Sequence, residues 1–270
     1  MIEYRSTLSR VSAFATYTHG FVRTVSRSLA ACELTHAPRQ TFDLARAHAQ
    51  HEAYVDALRA AGVAITVLPE APDLPDAMFV EDPALILDEL AILTRPGALS
   101  RRPEVALIAP AIRAVRPATF AIQAPGTLEG GDVLRVDRTL FVGRSGRTNA
   151  EGIRQLAEIV APFGYAVRAV AVHGCLHLKS AVTAVAPHLL LAHAPWIDAA
   201  PFADYELLPV DPNELPGANA LAVNGRVLVI ASAPRTAEKL AARGLNVRSL
   251  DVSELQKAES GLTCSSLLYA

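Results

Sequence analysis

Three groups able to do covalent chemistry stand far apart in this chain: the thiol of Cys264, the imidazole of His177 and the carboxylate of Glu129. A thiolate is a strong nucleophile, an imidazole moves protons near neutral pH, and a carboxylate beside the ring orients and charges it. Cys264 sits where a Ser260-Gly261 turn runs into a short apolar strand, read over 263–268, at the end of the chain. A terminal segment stays ordered only when tied down, so that apolar strand implies docking into a sheet. Gly261 allows a tight turn and a close backbone approach there. Each group also has a plain reading: a buried structural cysteine, a satisfied core histidine, and a tight turn at Glu129-Gly130-Gly131-Asp132. His173, Cys175 and His177 alternate as on one strand face, which admits zinc. Without a C-x-x-C pair or an H-E-x-x-H helix, no metal is expected.

Asp76, Glu81 and Asp82 crowd three acids into seven residues. Burying them is costly unless a cation enters, and a planar guanidinium matches carboxylates in a bidentate fork. Arg95, Arg101, Arg102 and Arg147 could in turn clamp a small carboxylate. Acids that seek a cation and arginines that seek a carboxylate together describe an α-amino acid with a guanidino side chain.

The elements that must position these groups repeat. A strand is expected over 19–26, a helix over 41–61 and a strand over 63–68. Hairpins follow at 84–94, 133–142, 181–193 and 221–230, the last around Asn224-Gly225, the strongest turn signal in the chain. Helices follow three of them, over 103–114, 149–161 and 235–243, and a poor one follows the hairpin at 181–193. Pro110 is expected to kink or end the first of these three, and Thr148 to Glu151 to form a capping box on the second. Gly62, Gly164 and Gly244 each close a helix before a strand.

A period of about 40–50 residues marks a repeat architecture. The terminal strand would complete a fifth unit with the strand near residues 19–26 and close the ring. The expectation is a single domain over 1–270, an α/β fold of class five-bladed α/β propeller with pseudo-fivefold ββαβ repeats. In such a ring the loops at 74–82, 127–132, 173–180, 212–219 and 259–264 open on one face and bring their polar residues into one cavity. That register points to an enzyme.

Composition narrows the classes. A chain of 270 residues that is 51% hydrophobic can bury a sizeable core, and its net charge of −2 gives no support for a nucleic-acid or membrane-surface partner. No apolar run approaches the ~18 residues of a membrane span. Met1–Arg5 lacks a signal peptide's apolar run, and three cysteines are an odd count for a disulfide framework. A cytoplasmic enzyme with one reactive thiol is expected.

The stretches LPDAMFVED, TRPGALSRR, LEGGDVLRV, FVGRSGRTN, LHLKS, GAN and GLTC together resemble the dimethylarginine dimethylaminohydrolases, in the guanidino-group-modifying (pentein) superfamily. The resemblance implies a five-bladed α/β propeller that hydrolyses Nω-methylated arginines to citrulline and an alkylamine without metal or organic cofactor. It implies Cys264 as nucleophile, His177 as general acid and base, and Glu129 as its acidic partner. Glu81 and Asp82 match the guanidinium-binding acids, Asp76 lies near the substrate amino group, and Arg101 and Arg147 match the α-carboxylate pair. Leu34 and Ala258 match positions whose backbone carbonyls meet the α-amino group. For a lid over the site, which the sequence does not fix, residues 15–33 are the candidate span. Two departures stand out: Glu259-Ser260 replaces the Asp-Gly of many relatives, and Cys175 is not usual at its place. The partner implied is a small-molecule substrate, and a homodimer is allowed. The rivals are an arginine deiminase-like hydrolase, whose relatives carry a helical insertion and a Thr-Arg-Asp pattern, and a non-catalytic binding propeller.

Overall fold

Short apolar segments punctuated by turn residues cannot bury two faces alone, and here they pair in threes. The structure, a computed structural model, describes residues 14–270, so the Met1–Arg5 reading lies outside the described residues. The chain enters with β1 (His19–Arg23), α1 (Leu44–Ala60) and β2 (Ala64–Leu68). Next come β3 (Ala84–Ile86), β4 (Ala91–Leu93), α2 (Arg102–Val115) and β5 (Thr119–Ala121). The third group is β6 (Val133–Val136), β7 (Thr139–Arg144), α3 (Ala150–Val160) and β8 (Ala166–Ala171). The one-turn α4 (Leu178–Ala181) leads into β9 (Val182–Ala186), β10 (Leu189–Ala192) and β11 (Glu206–Pro209). Then follow β12 (Leu221–Val223), β13 (Arg226–Ile230), α5 (Pro234–Ala242), β14 (Val247–Leu250), the short α6 (Ser253–Gln256) and β15 (Leu267–Tyr269).

These strands make five three-stranded sheets, each with its second strand antiparallel to the first and parallel to the third. The closing sheet is β15-β1-β2: His19 pairs with Tyr269 and Phe21 with Leu267, so the two ends of the chain share one blade. Residues from β3, β6, β9, β12 and β15 line a central channel of about 490 Å³, which makes the five sheets an α/β propeller around an axis. β3 and β4 are buried throughout, whereas no residue of the outer strand β2 is. Among the described residues no helix is long and apolar enough to cross a membrane.

Several local expectations are corrected by the packing. α2 runs through Pro110 to Val115, because Pro110 lies on the exposed face, where water can take the carbonyl of Ala106 that loses its partner. The capping box does not form. Asn149 caps α3 by accepting from Gly152 N at 2.8 Å, and the Thr148 hydroxyl instead accepts from Glu129 N at 3.1 Å. Between β10 and β11 only two 3-10 turns, 194–196 and 200–202, replace a helix. The last strand is shorter than expected: residues 263–265 form a 3-10 turn, and β15 begins at Leu267.

The Asn224-Gly225 turn has positive φ at both positions, 46° and 77°, as a type I′ hairpin requires. Its side chain does more than turn the chain. Asn224 Oδ1 accepts from Tyr17 N, and Nδ2 donates to Tyr17 O and Ala61 O, all at 2.8 Å, tying one blade to the next. Asn224→Ala removes those bonds and places a β-carbon in the left-handed region. It is expected to lower unfolding stability by about 2 kcal/mol, read as a lower urea midpoint with unchanged slope.

Candidate active site

Cys264 is held from behind by Asn219. Asn219 Oδ1 accepts from Leu262 N at 2.7 Å and Thr263 N at 3.0 Å, and Nδ2 donates to Lys179 O and Thr263 Oγ1. Gly261 is required because a β-carbon there would stand 2.3 Å from Asn219 Cγ. The close approach is therefore to Asn219, not to a ligand. Burial first, then the charges of Glu81 and Asp82, pushes the Cys264 thiol up to about 12.

His177 precedes α4, whose first N–H, at Leu178, is taken by the buried Asp132 at 2.9 Å. Ser145 Oγ donates to the other oxygen of Asp132 at 2.6 Å. The His177 ring reaches Glu129, on the loop entering the neighbouring blade, with Nε2 to Oε2 at 2.6 Å. Glu129 has no solvent exposure, and its second oxygen accepts from Gly97 N at 3.1 Å, Ala98 N at 3.4 Å and Arg147 Nη1 at 3.4 Å. Burial works against the charged imidazolium, but Asp82, the Glu129 hydrogen bond and Asp132 outweigh it and hold His177 up at about 9. A β-carbon on Gly131 would lie 2.6 Å from His177 Nδ1 and 2.8 Å from Asp82 Oδ1, so only glycine lets these groups meet.

The acidic loop divides its labour. Asp82 faces the cavity, with Oδ1 accepting from Gly131 N at 2.8 Å and Oδ2 paired with Arg101. Asp76 lines the same cavity and accepts from Glu33 N at 3.0 Å. Burial, opposed chiefly by Arg101, raises its carboxyl. Glu81 departs from the expected grouping: it pairs with Lys179, accepts from Thr263 Oγ1 at 2.9 Å and lines the central channel. Arg101 is likewise committed, bonding both oxygens of Glu104 at 3.0 and 2.8 Å, Asp82, and the carbonyls of Asp76 and Phe79. Arg147 is less engaged, with one bond to Glu129 and one to Thr35 Oγ1.

The cover also differs from the expected residues 15–33, because β1 begins at His19; residues 33–37 lie over the site instead. Ser100 Oγ donates to Glu33, Arg147 reaches Thr35, and Glu259 accepts from the N–H groups of Thr35, His36 and Ala37. Glu259 does this from a left-handed backbone, φ 56°. Beneath lies a cavity of about 20 Å³ bounded by Glu33, Asp76, Asp82, Arg147, His177 and Cys264, among others. Ala258 borders it, whereas Leu34 packs into the apolar core and does not line it.

The zinc reading of residues 173–177 fails on conformation, for they form an irregular loop with Gly174 at φ 68°, not a strand. Asp82, Glu129 and His177 do place ligand atoms within 4.8 Å of one another, but these atoms are taken up by the bonds described. Asn219, Asp132 and Lys179 are supporting residues that pattern reading passed over. Asp132 and Asn219 stand just before β6 and β12, and Lys179 lies in the one-turn helix before β9, so position ahead of a strand is the one signal that could have found them.

Comparisons with known proteins identify a family. The family described as "N,N dimethylarginine dimethylhydrolase, eukaryotic" matches residues 35–206. The chain is similar to an N(G),N(G)-dimethylarginine dimethylaminohydrolase of Pseudomonas aeruginosa, 39% identical over 94% of this chain and 100% of that one. A protein of the same name from Streptomyces coelicolor is 42% identical over 91% of this chain and 95% of its own length. A solved P. aeruginosa structure, a cysteine-to-serine variant complexed with citrulline, superposes with a TM-score of 0.90 at 38% identity and covers 94% of this chain and 100% of that one. With that length of match at both levels, the chain belongs to the dimethylarginine dimethylaminohydrolase family.

Proposed function

We propose that this protein hydrolyses Nω-methylated arginines, asymmetric dimethylarginine and monomethylarginine, to L-citrulline and the corresponding methylamine. The observation that carries the reading is the buried His177–Glu129 pair at 2.6 Å, whose imidazole lines the same cavity as Cys264 and Asp82. The five blades act as one catalytic domain, and the assigned roles call on side chains alone.

The substrate guanidinium replaces missing positive charge beside Asp82, while Arg147 and Asp76 face its α-carboxylate and α-amino ends. Glu81, held by Lys179 and Thr263, adds negative field from behind the thiol. Both acids hold the thiol protonated in the empty site, so arrival of a cation lowers its pKa and releases the proton to solvent. The thiolate attacks the guanidino carbon and forms a tetrahedral adduct. His177, an imidazolium at neutral pH, gives its proton to the departing nitrogen as the C–N bond breaks, leaving an S-alkylthiouronium on Cys264. Neutral His177 then takes a proton from water, whose oxygen bonds to the same carbon, and the C–S bond breaks to give citrulline. Glu129 keeps the ring oriented and favours its charged form throughout.

A Cys264→Ser variant is expected to form no citrulline yet to bind dimethylarginine by calorimetry; turnover by that variant would remove the nucleophile assignment. Citrulline formation from dimethylarginine, monomethylarginine and arginine, measured side by side, tests the substrate class. The proton donor predicts a falling limb of kcat/KM near pH 9, where free His177 loses its charge. Glu129→Gln takes away a negative neighbour, so this limb should move to lower pH; an unmoved limb would count against the pair. Arg147→Ala should raise KM with the fold intact. Arg101→Ala should instead lower stability by about 3–5 kcal/mol, because it leaves Glu104 and Asp82 buried and unpaired.

A further inference from the structure

The 33–37 cover is pinned to its surroundings at Ser100, Arg147 and Glu259. Where the loops before β9, β12 and β15 meet, the small catalytic cavity shares Leu176, Glu259 and Ser260 with a second cavity of about 300 Å³. That cavity meets the reacting end of the site. Leu176 is the chain neighbour of His177, and Gly261 and Asn219, which hold the Cys264 turn, form part of its floor. Ser260, which lines both cavities, donates its hydroxyl to Gly261 O at 2.9 Å, at the turn that leads to Cys264. The groups at the amino-acid end, Glu33, Asp76 and Arg147, border only the catalytic cavity. Its walls include Trp196, Leu176, Pro216 and Ala37, and the indole is set against Gly174, where an added β-carbon would stand 3.1 Å away. An apolar, preformed groove beside the nucleophile fits an alkyl chain on the nitrogen that leaves.

We propose that this groove is a subsite for the Nω-substituent, so that the substrate class extends to arginines carrying an unbranched alkyl group longer than methyl. The inference rests on the hydrolase reading above. The bonds made and broken are the same: Nω-propylarginine and water give citrulline and propylamine, the amine leaving with the proton from His177.

The test uses Nω-propyl-L-arginine and Nω-methyl-L-arginine with the full-length protein, scoring citrulline and the released amine. Wild type is expected to turn over the propyl substrate with kcat/KM within about tenfold of the methyl one. Ser180→Leu, which fills the groove from α4, should lower kcat/KM for the propyl substrate by about tenfold or more and leave the methyl substrate within about twofold. Should Ser180→Leu lose both activities, Gln256→Trp on the opposite wall is held to the same two criteria. Turnover of the methyl substrate without the propyl one overturns the subsite, as does propyl turnover that neither variant lowers. Failure of wild type on both substrates overturns the hydrolase reading itself.

Discussion

Charge compensation in a buried space governs this structure. Asp76, Glu81, Asp82, Glu104, Glu129 and Asp132 are all buried around one end of the propeller. Carboxylates taken out of water are tolerated only with cations or hydrogen-bond donors at hand. Arg101 serves Asp82 and Glu104, Lys179 serves Glu81, His177 serves Glu129, and backbone N–H groups serve Asp76 and Asp132. The sum leaves an acidic centre with a protonated histidine and a protonated thiol, a state that a cationic substrate resolves. Glu104, which burial lifts to about 7 against the pull of Arg101, shows how close this balance runs.

The repeat was legible because each hairpin carries its own local signal. Asn224-Gly225 and the glycines at 62, 164 and 244 adopt positive φ, and the fifth blade closes between the two ends of the chain. What local pattern could not convey was partner choice. Thr148 and Asn149 both suit a helix cap, and Thr148 is drawn away by Glu129 N, a bond that exists only after two loops meet. Pro110 was misjudged because breaking a helix depends on which face the freed carbonyl presents, a tertiary property.

The same distinction runs through the site. Residue identity and register placed Cys264, His177, Asp76, Asp82, Arg101, Arg147 and Ala258 around one cavity, with Glu129 behind His177. Side-chain direction was beyond reach: Glu81 and Asp82 are adjacent in the turn before β3, and that turn sends one to the channel and the other to the cavity. Arg101 and Arg147 look alike in sequence, but Glu104, one turn along α2, occupies the first. The glycines at 131 and 261 are explained by what stands against them, the His177 ring and the Asn219 amide.

The pairing of His19–Phe21 with Leu267–Tyr269 carries a temporal meaning as well as a spatial one. During synthesis the first strand emerges early and must wait, its antiparallel neighbour still unmade. The other four blades each close within a single stretch of chain, whereas this one joins the two strands lying furthest apart in sequence among the strand pairings. Closure over so long a loop is slow, so the blade that seats the thiol is expected to be the last part of the ring to lock.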